Sequence, residues 1–89
     1  METKKRTSEA TREDVIRAIG MCDALGQDGF LAAHGYRPSL RYQLAFGGNL
    51  YPSKAILGVA CGLSAREFSG GAAHTVRVLH ALGFKVVSR

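Results

Sequence analysis

The segment Tyr51-Pro-Ser-Lys-Ala-Ile-Leu-Gly-Val-Ala-Cys-Gly62 decides how the rest of the chain is arranged. Small and apolar residues fill it, which predicts a helix at the centre of the core from about Lys54 to Cys61. Ser53 stands directly before this apolar run, so we expect its hydroxyl to cap the helix. Gly58 predicts a close helix contact, because glycine in a helix interior otherwise costs about 1 kcal/mol.

A second helix start is predicted at Glu67-Phe-Ser-Gly-Gly71. Ser69 is a good N-cap residue for a helix from about Gly70 to Leu82. Two interpretations of Gly70 and Gly71 stay open. The glycines can fit a tight crossing against a neighbouring element, or they can let a phosphate oxygen approach the free N–H groups of the helix start. The inner face of this helix is predicted to consist of Ala72, Val76, Leu79 and Leu82.

Local signals upstream predict two further helices. Thr11 followed by Asp14 resembles a capping box, and Gly26 stops the helix that it opens. A shorter helix from Asp28 to Gly35 is predicted next, with Phe30 and Leu31 buried. The apolar residues that recur at helical spacing along the first of these helices are Val15, Ile16, Ile19, Cys22 and Leu25.

Strand patterns occupy two later segments. From Arg41 to Phe46, residues alternate between the two faces of a half-buried strand. The turn Gly47-Gly48-Asn49 and the short strand Leu50-Tyr51 complete a β-hairpin. After Gly83, the predicted helix C-cap, the segment Phe84 to Val87 alternates again and can join the hairpin. The predicted fold class is α+β, with about four helices and a small antiparallel sheet made of a β-hairpin and a C-terminal strand.

The length of 89 residues predicts one domain over residues 11–89, preceded by a flexible basic tail over residues 1–10. The hydrophobic fraction of 46% and the charged fraction of 21% are ordinary for a globular protein. No apolar run approaches the roughly 18 residues that a membrane span requires, and no signal peptide is visible. We therefore expect a cytoplasmic location.

The net charge of +5 is distributed unevenly along the chain. Residues 1–7 carry three positive charges and one negative, and residues 8–34 carry two positive and five negative. Residues 35–89 carry seven positive charges and one negative, so this is the basic half. A basic surface favours nucleic acid or another polyanion as a partner.

Catalytic and metal-binding patterns are missing from the sequence. The basic half contains one carboxylate, Glu67, whereas hydrolytic sites need clustered carboxylates or histidines. His74 and His80 are six residues apart, which places them on different sides of a helix and not at the spacing of a metal pair. Cys22 and Cys61 are predicted to be small buried apolar residues. We therefore expect a chain that is not an enzyme and has no metal site and no cofactor.

Residues predicted to bind nucleic acid combine basic side chains with the second helix start. Each basic residue taken alone is a solvated charge, whereas together they favour a patch that contacts phosphate. Lys54 stands in the first turn of its helix, against the helix dipole, and two interpretations stay open: an anion held there, or a solvated lysine. The predicted binding set is Lys54, Ser69, Gly70, Gly71, Arg77, Arg41 and Arg66, and Arg37 and Lys85 complete the basic residues considered.

Several motifs follow one another in an order that matches a known pattern. They are Asp23-Ala-Leu-Gly-x-x-Gly-Phe-Leu, Gly35-Tyr36, Arg41-Tyr-x-Leu, Tyr51-x-Ser-Lys-Ala-Ile-x-Gly-x-Ala, Glu67-Phe-Ser-Gly-Gly and Leu82-Gly-Phe. Over about residues 13–87, the chain resembles the N-terminal head domain of McrA-like HNH restriction endonucleases, which are type IV, modified-DNA-dependent enzymes. In that family the head precedes modules that read modified DNA and a C-terminal HNH nuclease. The resemblance implies a DNA-associating accessory domain, here expected as a stand-alone chain without reader or nuclease.

Two functions from different classes stay open. The first is a DNA-binding or recruitment module that contacts mainly backbone phosphate without sequence preference. The second is a protein-interaction module, an inhibitor or adaptor that engages a separately encoded nuclease or another protein of phage defence. The salt dependence of binding separates the two, because phosphate contacts weaken steeply as salt rises and a packed protein interface changes far less.

Overall fold

The computed structural model describes residues 4–38, 41–68 and 71–88 of the chain. Within these ranges it has four α-helices and a three-stranded antiparallel sheet, which confirms the predicted α+β class. A short 3-10 helix at Thr7–Glu9 comes first. The elements that follow are α1 (Arg12–Leu25), α2 (Gln27–His34), β1 (Tyr42–Phe46), β2 (Asn49–Pro52), α3 (Ser53–Ala60), α4 (Ala72–Ala81) and β3 (Lys85–Ser88).

The sheet has the strand order β2-β1-β3, and the predicted hairpin forms its first two strands. Gly47 and Gly48 link the strands with φ of 59° and 83°. Two consecutive residues with positive φ make the tight turn that suits the twist of a hairpin, and glycine adopts it without strain. On the other side of β1, strand β3 pairs antiparallel, so that Leu44 lies opposite both Tyr51 and Val86.

Helix α3 is the centre of the core, as the sequence predicts. It contacts the other three helices and both strands of the hairpin. Ile56 and Leu57 are fully buried, and each such side chain contributes about 1.5–3 kcal/mol of hydrophobic stabilisation. A Cβ added at Gly58 would collide with the phenol of Tyr36. The close contact is therefore present, but Gly58 makes it with Tyr36, which follows α2, and not with a neighbouring helix as predicted.

Two helices end in the same local motif, which turns an aromatic ring into the core. After α2, Gly35 adopts φ of 73°, and the N–H of Tyr36 donates to the carbonyl of Leu31. After α4, Gly83 adopts φ of 87°, and the N–H of Phe84 donates to the carbonyl of Leu79. These are Schellman motifs, in which glycine takes the left-handed position. The C-cap of α4 is Leu82, one residue before the predicted Gly83.

The two helix starts predicted at serine residues, Ser53 and Ser69, need correction. Ser53 is not an N-cap, because it is the first residue of α3 and its hydroxyl donates to the carbonyl of Tyr42 at 2.9 Å. Strand β2 runs directly into α3 through Pro52, so Ser53 ties the helix start to β1. Helix α4 begins at Ala72 with Gly71 as its N-cap, two residues later than predicted. Ser69 and Gly70 lie outside the described residues.

The predicted apolar faces are partly wrong. Ile16 and Leu25 are 40% and 53% exposed, because α1 packs against α3 along a narrower face than the spacing suggests. In α4, Leu79 is buried as predicted, but Ala72 is exposed and Val76 and Leu82 are only half-buried. Thr75 is buried in their place, with its hydroxyl donating to the carbonyl of Gly71 at 3.2 Å.

The described part of the predicted tail, residues 4–10, lies against the domain. The backbone N–H of Lys5 donates to the carbonyl of Cys61 at 2.8 Å, and Ala10 is buried. The hydroxyl of Thr7 and Nε2 of His74 are hydrogen-bonded at 2.7 Å, and the ammonium of Lys4 contacts the Glu67 carboxylate. These contacts join the N-terminal segment to α4 and to the end of α3.

Candidate nucleic-acid interface

A groove with a cavity of about 340 Å³ opens where the start of β1 meets the first turns of α3 and α4. Its basic side chains are Arg37, Arg41 and Lys54, and its walls include Pro38 and Tyr42. We call it the basic groove. The groove forms because β2 continues directly into α3, which places Lys54 near the end of the sheet at which β1 begins.

The cations of the basic groove have no carboxylate beside them. Within residues 4–38, 41–68 and 71–88, the ion pairs formed are those of Lys4, Lys5 and Arg17, and no acidic side chain lines the groove. Three positive charges therefore share one concave surface without internal compensation. Such a surface raises the local concentration of an anionic ligand.

Aromatic rings hold two of these cations in place. The guanidinium of Arg41 lies 5.4 Å from the centroid of the Tyr42 ring, and the ammonium of Lys54 lies 5.4 Å from that of Phe68. A cation–π contact at an exposed site contributes roughly 0.5–1 kcal/mol. It positions the cation while leaving its charge available to a ligand.

The starts of α3 and α4 border the same groove. Neither helix has a side-chain cap hydrogen bond at its N-cap residue, which is Pro52 for α3 and Gly71 for α4. The first residue of α3, Ser53, is buried, whereas Ala72 at the start of α4 is exposed. Gly71, the N-cap of α4, has φ of −81°, and an added Cβ would meet nothing within 4 Å. Packing and backbone strain therefore do not require glycine at this position, although glycine is a favourable N-cap residue. The approach of a phosphate oxygen to this glycine stays a prediction.

The structure brings together only part of the predicted binding set. Arg41 and Lys54 line the basic groove together with Arg37, whereas Gly71 lines a separate cavity beside the N-terminal segment. Arg77 is exposed on α4 and Arg66 is exposed in the turn after α3, but neither lines the groove. Lys85 is exposed on β3, also outside it.

Sequence reasoning missed the aromatic and proline walls of the groove. Tyr42 is absent from the predicted binding set, yet it is half-buried in the groove and its ring lies against the guanidinium of Arg41. The available signal was the adjacency of arginine and tyrosine at the start of a strand. For Phe68, which supports Lys54, no local signal existed, because the two residues meet only after α3 has packed.

Glu67 bears on this site because a carboxylate near α4 would repel phosphate. The counter-charge of Glu67 is Lys4 of the N-terminal segment. The Lys4 ammonium and the backbone N–H of Ser64 lower the pKa of Glu67 to about 2. Glu67 lines a second cavity, of about 600 Å³, beside the N-terminal segment. That cavity mixes charges of both signs, so the basic groove is the better candidate for a polyanion.

Other reactive groups give no competing site in the described part of the chain. No three His, Cys, Asp or Glu residues cluster there in a way that could hold a metal ion. Cys22 and Cys61 are buried free thiols, as predicted, and burial raises the pKa of both. None of the helices described is both long and apolar enough to cross a membrane.

Comparison with known proteins gives a specific relationship. The family model of the ScoMcrA-like N-terminal head domain matches residues 8–88. Among solved structures, the Type IV phosphorothioation-dependent restriction endonuclease ScoMcrA is similar, with a TM-score of 0.72 and 32% sequence identity. The similarity covers 91% of this chain and 13% of that one. No curated protein matches. The chain therefore belongs to the family of ScoMcrA-like N-terminal head domains, as its motifs indicated.

Proposed function

We propose that this chain is a small non-catalytic module that binds DNA, or is recruited to it, mainly through the phosphate backbone. The observation that supports this best is the basic groove, where Arg37, Arg41 and Lys54 lie together and no carboxylate of the described residues lines the surface. Half or more of the hydrogen bonds in protein–DNA complexes go to the phosphate and sugar, and arginine and lysine supply many of them. Arg66, Arg77, Ser69 and Gly70 remain proposed outer contacts of the same interface.

The family relationship supports a role connected with DNA restriction. The similar solved protein is a restriction endonuclease, and this chain spans 13% of its length, at the head domain. The proposal takes from it only the association with DNA. Cleavage would come from another polypeptide or domain, for example a separately encoded nuclease that this module helps to place.

The expected affinity is low. A domain of 89 residues offers only a few phosphate contacts, so duplex DNA of arbitrary sequence should bind with micromolar or weaker affinity at physiological salt. No element in the described ranges is placed as a recognition helix with a readable base code, and the proposal includes no sequence preference.

Fluorescence anisotropy of a labelled duplex of about 20 base pairs tests the proposal. At low salt, the anisotropy should rise with protein concentration and saturate, for two duplexes of unrelated sequence alike. No rise at low salt with a folded protein would contradict DNA binding. A strong preference for one duplex would contradict binding through phosphate alone.

One observation favours the protein-interaction alternative. Leu25 and Leu50 are 53% and 44% exposed, and Leu50 lines a cleft of about 330 Å³ between the hairpin and the end of α1. Exposed apolar side chains beside a cleft suit a protein partner. For this function, association with a nuclease in a pull-down would persist at high salt, and Leu50→Ser would abolish it.

A further inference from the structure

We propose that the basic groove receives one unpaired nucleotide, with its base against the apolar wall and its phosphate on the cations. This inference rests on the proposed DNA-binding function and narrows the ligand to single-stranded or overhanging DNA. Contacts to phosphate need only cations, but the basic groove also contains an aromatic and apolar concavity. A ligand with an apolar part would fill that concavity.

The size and depth of the groove suit one nucleotide. Its volume of about 340 Å³ lies at the lower end of the range of small-molecule sites, which is roughly 300–1,000 Å³. Duplex DNA presents phosphates on a convex rod, so a duplex can contact the cations of the groove but leaves its apolar concavity unfilled. An unstacked base with its sugar and phosphate has the shape and the mixed polarity that the groove offers.

The wall of the groove has the chemistry that unpaired bases bind. Tyr42 and Pro38 line it, and the ring of Tyr42 lies under the guanidinium of Arg41. Proteins that bind single strands place bases against aromatic rings and guanidinium planes, beside cations that follow the backbone. Tyr42 and Arg41 supply both surfaces, and Arg37 and Lys54 supply the cations.

The position of Tyr42 is fixed before any ligand arrives. Its carbonyl accepts the hydroxyl of Ser53, and its own strand is the central one of the sheet. Lys54 follows Ser53 directly, so this hydrogen bond joins the backbone of the first turn of α3 to the backbone that carries Tyr42. A backbone frame that is fixed before binding lowers the entropy cost of holding a flexible single strand.

The experiment compares three labelled DNAs that share one duplex: a blunt end, a three-nucleotide overhang, and the same overhang without bases. The overhang without bases carries the same phosphates, so the difference between the two overhangs measures the base alone. We expect the overhang with bases to bind about tenfold more tightly than the overhang without bases. A 2-aminopurine in the overhang should lose fluorescence on binding, because stacking quenches it.

The variant Tyr42→Leu keeps apolar bulk and removes the ring, and it should reduce the tenfold preference to about twofold or less. Tyr51→Phe is the control, since Tyr51 lies at another cleft and the change removes the hydrogen bonds of its hydroxyl, including the one to Asp23, without touching the basic groove. Equal binding of the two overhangs by the parent protein would overturn the inference while duplex binding still stood. A folded Tyr42→Leu protein with the full preference would also overturn it. Failure of all three DNAs to bind at low salt would overturn this inference and the proposed function together.

Should Tyr42→Leu fail to fold, the 2-aminopurine signal of the parent protein decides alone. Quenching in the overhang, with no quenching of the same base inside the blunt duplex, supports the groove as a site for an unpaired base. Unchanged fluorescence at saturating protein contradicts it.

Discussion

The N-terminal segment and the basic groove both contain exposed lysine and arginine, and they use them in opposite ways. In the first region, Lys5 and Arg17 each donate to Asp14 at 2.8 Å, and Lys4 contacts Glu67. In the groove, no ion pair to a carboxylate is formed by the described residues, and aromatic rings hold the cations instead. The first arrangement uses charge to stabilise the fold, and the second leaves charge for a ligand.

This difference teaches that the net charge of +5 is a poor guide to where a polyanion binds. Three cations of the N-terminal half form ion pairs with Asp14 or Glu67, namely Lys4, Lys5 and Arg17. The charge that can attract DNA is concentrated where the carboxylates are missing. Variants that change either the free energy of unfolding or the DNA affinity, but not both, can therefore test this difference between the two regions.

The largest effect is expected from Gly58→Ala, which damages the scaffold that both regions share. The new Cβ would collide with Tyr36, whose hydroxyl donates to the carbonyl of Leu63 at 2.7 Å. We expect a loss of about 3 kcal/mol in the free energy of unfolding, measured by urea denaturation. Gly20→Ala is the matched control: this exposed glycine of α1 has nothing within 4 Å of an added Cβ, so alanine should stabilise by up to about 1 kcal/mol. Equal stability of the two variants would contradict the assigned packing.

Asp14→Asn breaks the first region alone. The Asp14 carboxylate is buried and accepts hydrogen bonds from Lys5, Arg17 and the backbone N–H of Thr11. Removing its charge should lower the free energy of unfolding by about 2 kcal/mol. The control Glu13→Gln, at an exposed neighbouring position, should change it by less than about 0.5 kcal/mol.

DNA affinity of the folded Asp14→Asn protein should not fall. The change adds one positive charge and leaves the basic groove intact. A loss of affinity larger than the loss of stability explains would mean that the N-terminal segment itself contacts DNA. That result would remove the contrast between the two regions.

The pH dependence of stability follows from the same carboxylate. The Lys5 ammonium, with the hydrogen bonds from Thr11, holds the pKa of Asp14 well below its ordinary value of 3.8. A lowered pKa in the folded state stabilises the fold above the unfolded value, and this contribution is lost as pH falls below about 3.8. The unfolding free energy of the parent should therefore drop between pH 4 and pH 2 more steeply than that of Asp14→Asn. Parallel curves in a series of urea titrations would contradict the assignment.

The smallest effect is expected from Glu67→Gln. This change removes the carboxylate that occupies Lys4 and adds one net positive charge near the start of α4. We expect duplex DNA to bind about twofold more tightly at low salt and equally at high salt, as measured by anisotropy. Weaker binding would show that the Lys4–Glu67 contact holds part of the interface in place.

The fold was predictable where its signals are local. Thr11 and Asp14 form the expected capping box, and Gly47 and Gly48 make the expected hairpin turn. Gly58 revealed a close contact without naming the partner. The prediction that Ser53 is an N-cap was wrong, because a serine before an apolar run is typically a cap. Its hydroxyl instead donates to the carbonyl of Tyr42, which is distant in sequence. No local rule could anticipate that acceptor.

The candidate site was predictable in its residue types and not in its location. The charge of Arg41 and Lys54 predicts that both contact phosphate. They share a groove because β2 runs directly into α3. Arg77 was selected on the same grounds and lies outside the groove. The position of a cation in three dimensions depends on tertiary packing, which the spacing within one helix or strand does not specify.

We expect the cations of the basic groove, which form no ion pair with the described carboxylates, to contact DNA phosphate. The salt dependence of duplex binding measures these contacts. For the parent protein, the logarithm of the association constant should fall linearly with the logarithm of salt concentration. Arg41→Gln should bind more weakly and reduce the magnitude of that slope by about one, because one phosphate contact is lost. Lys85→Gln removes the same charge from β3, outside the groove, and should leave the slope unchanged. Identical slopes for Arg41→Gln and the parent protein would contradict the claim.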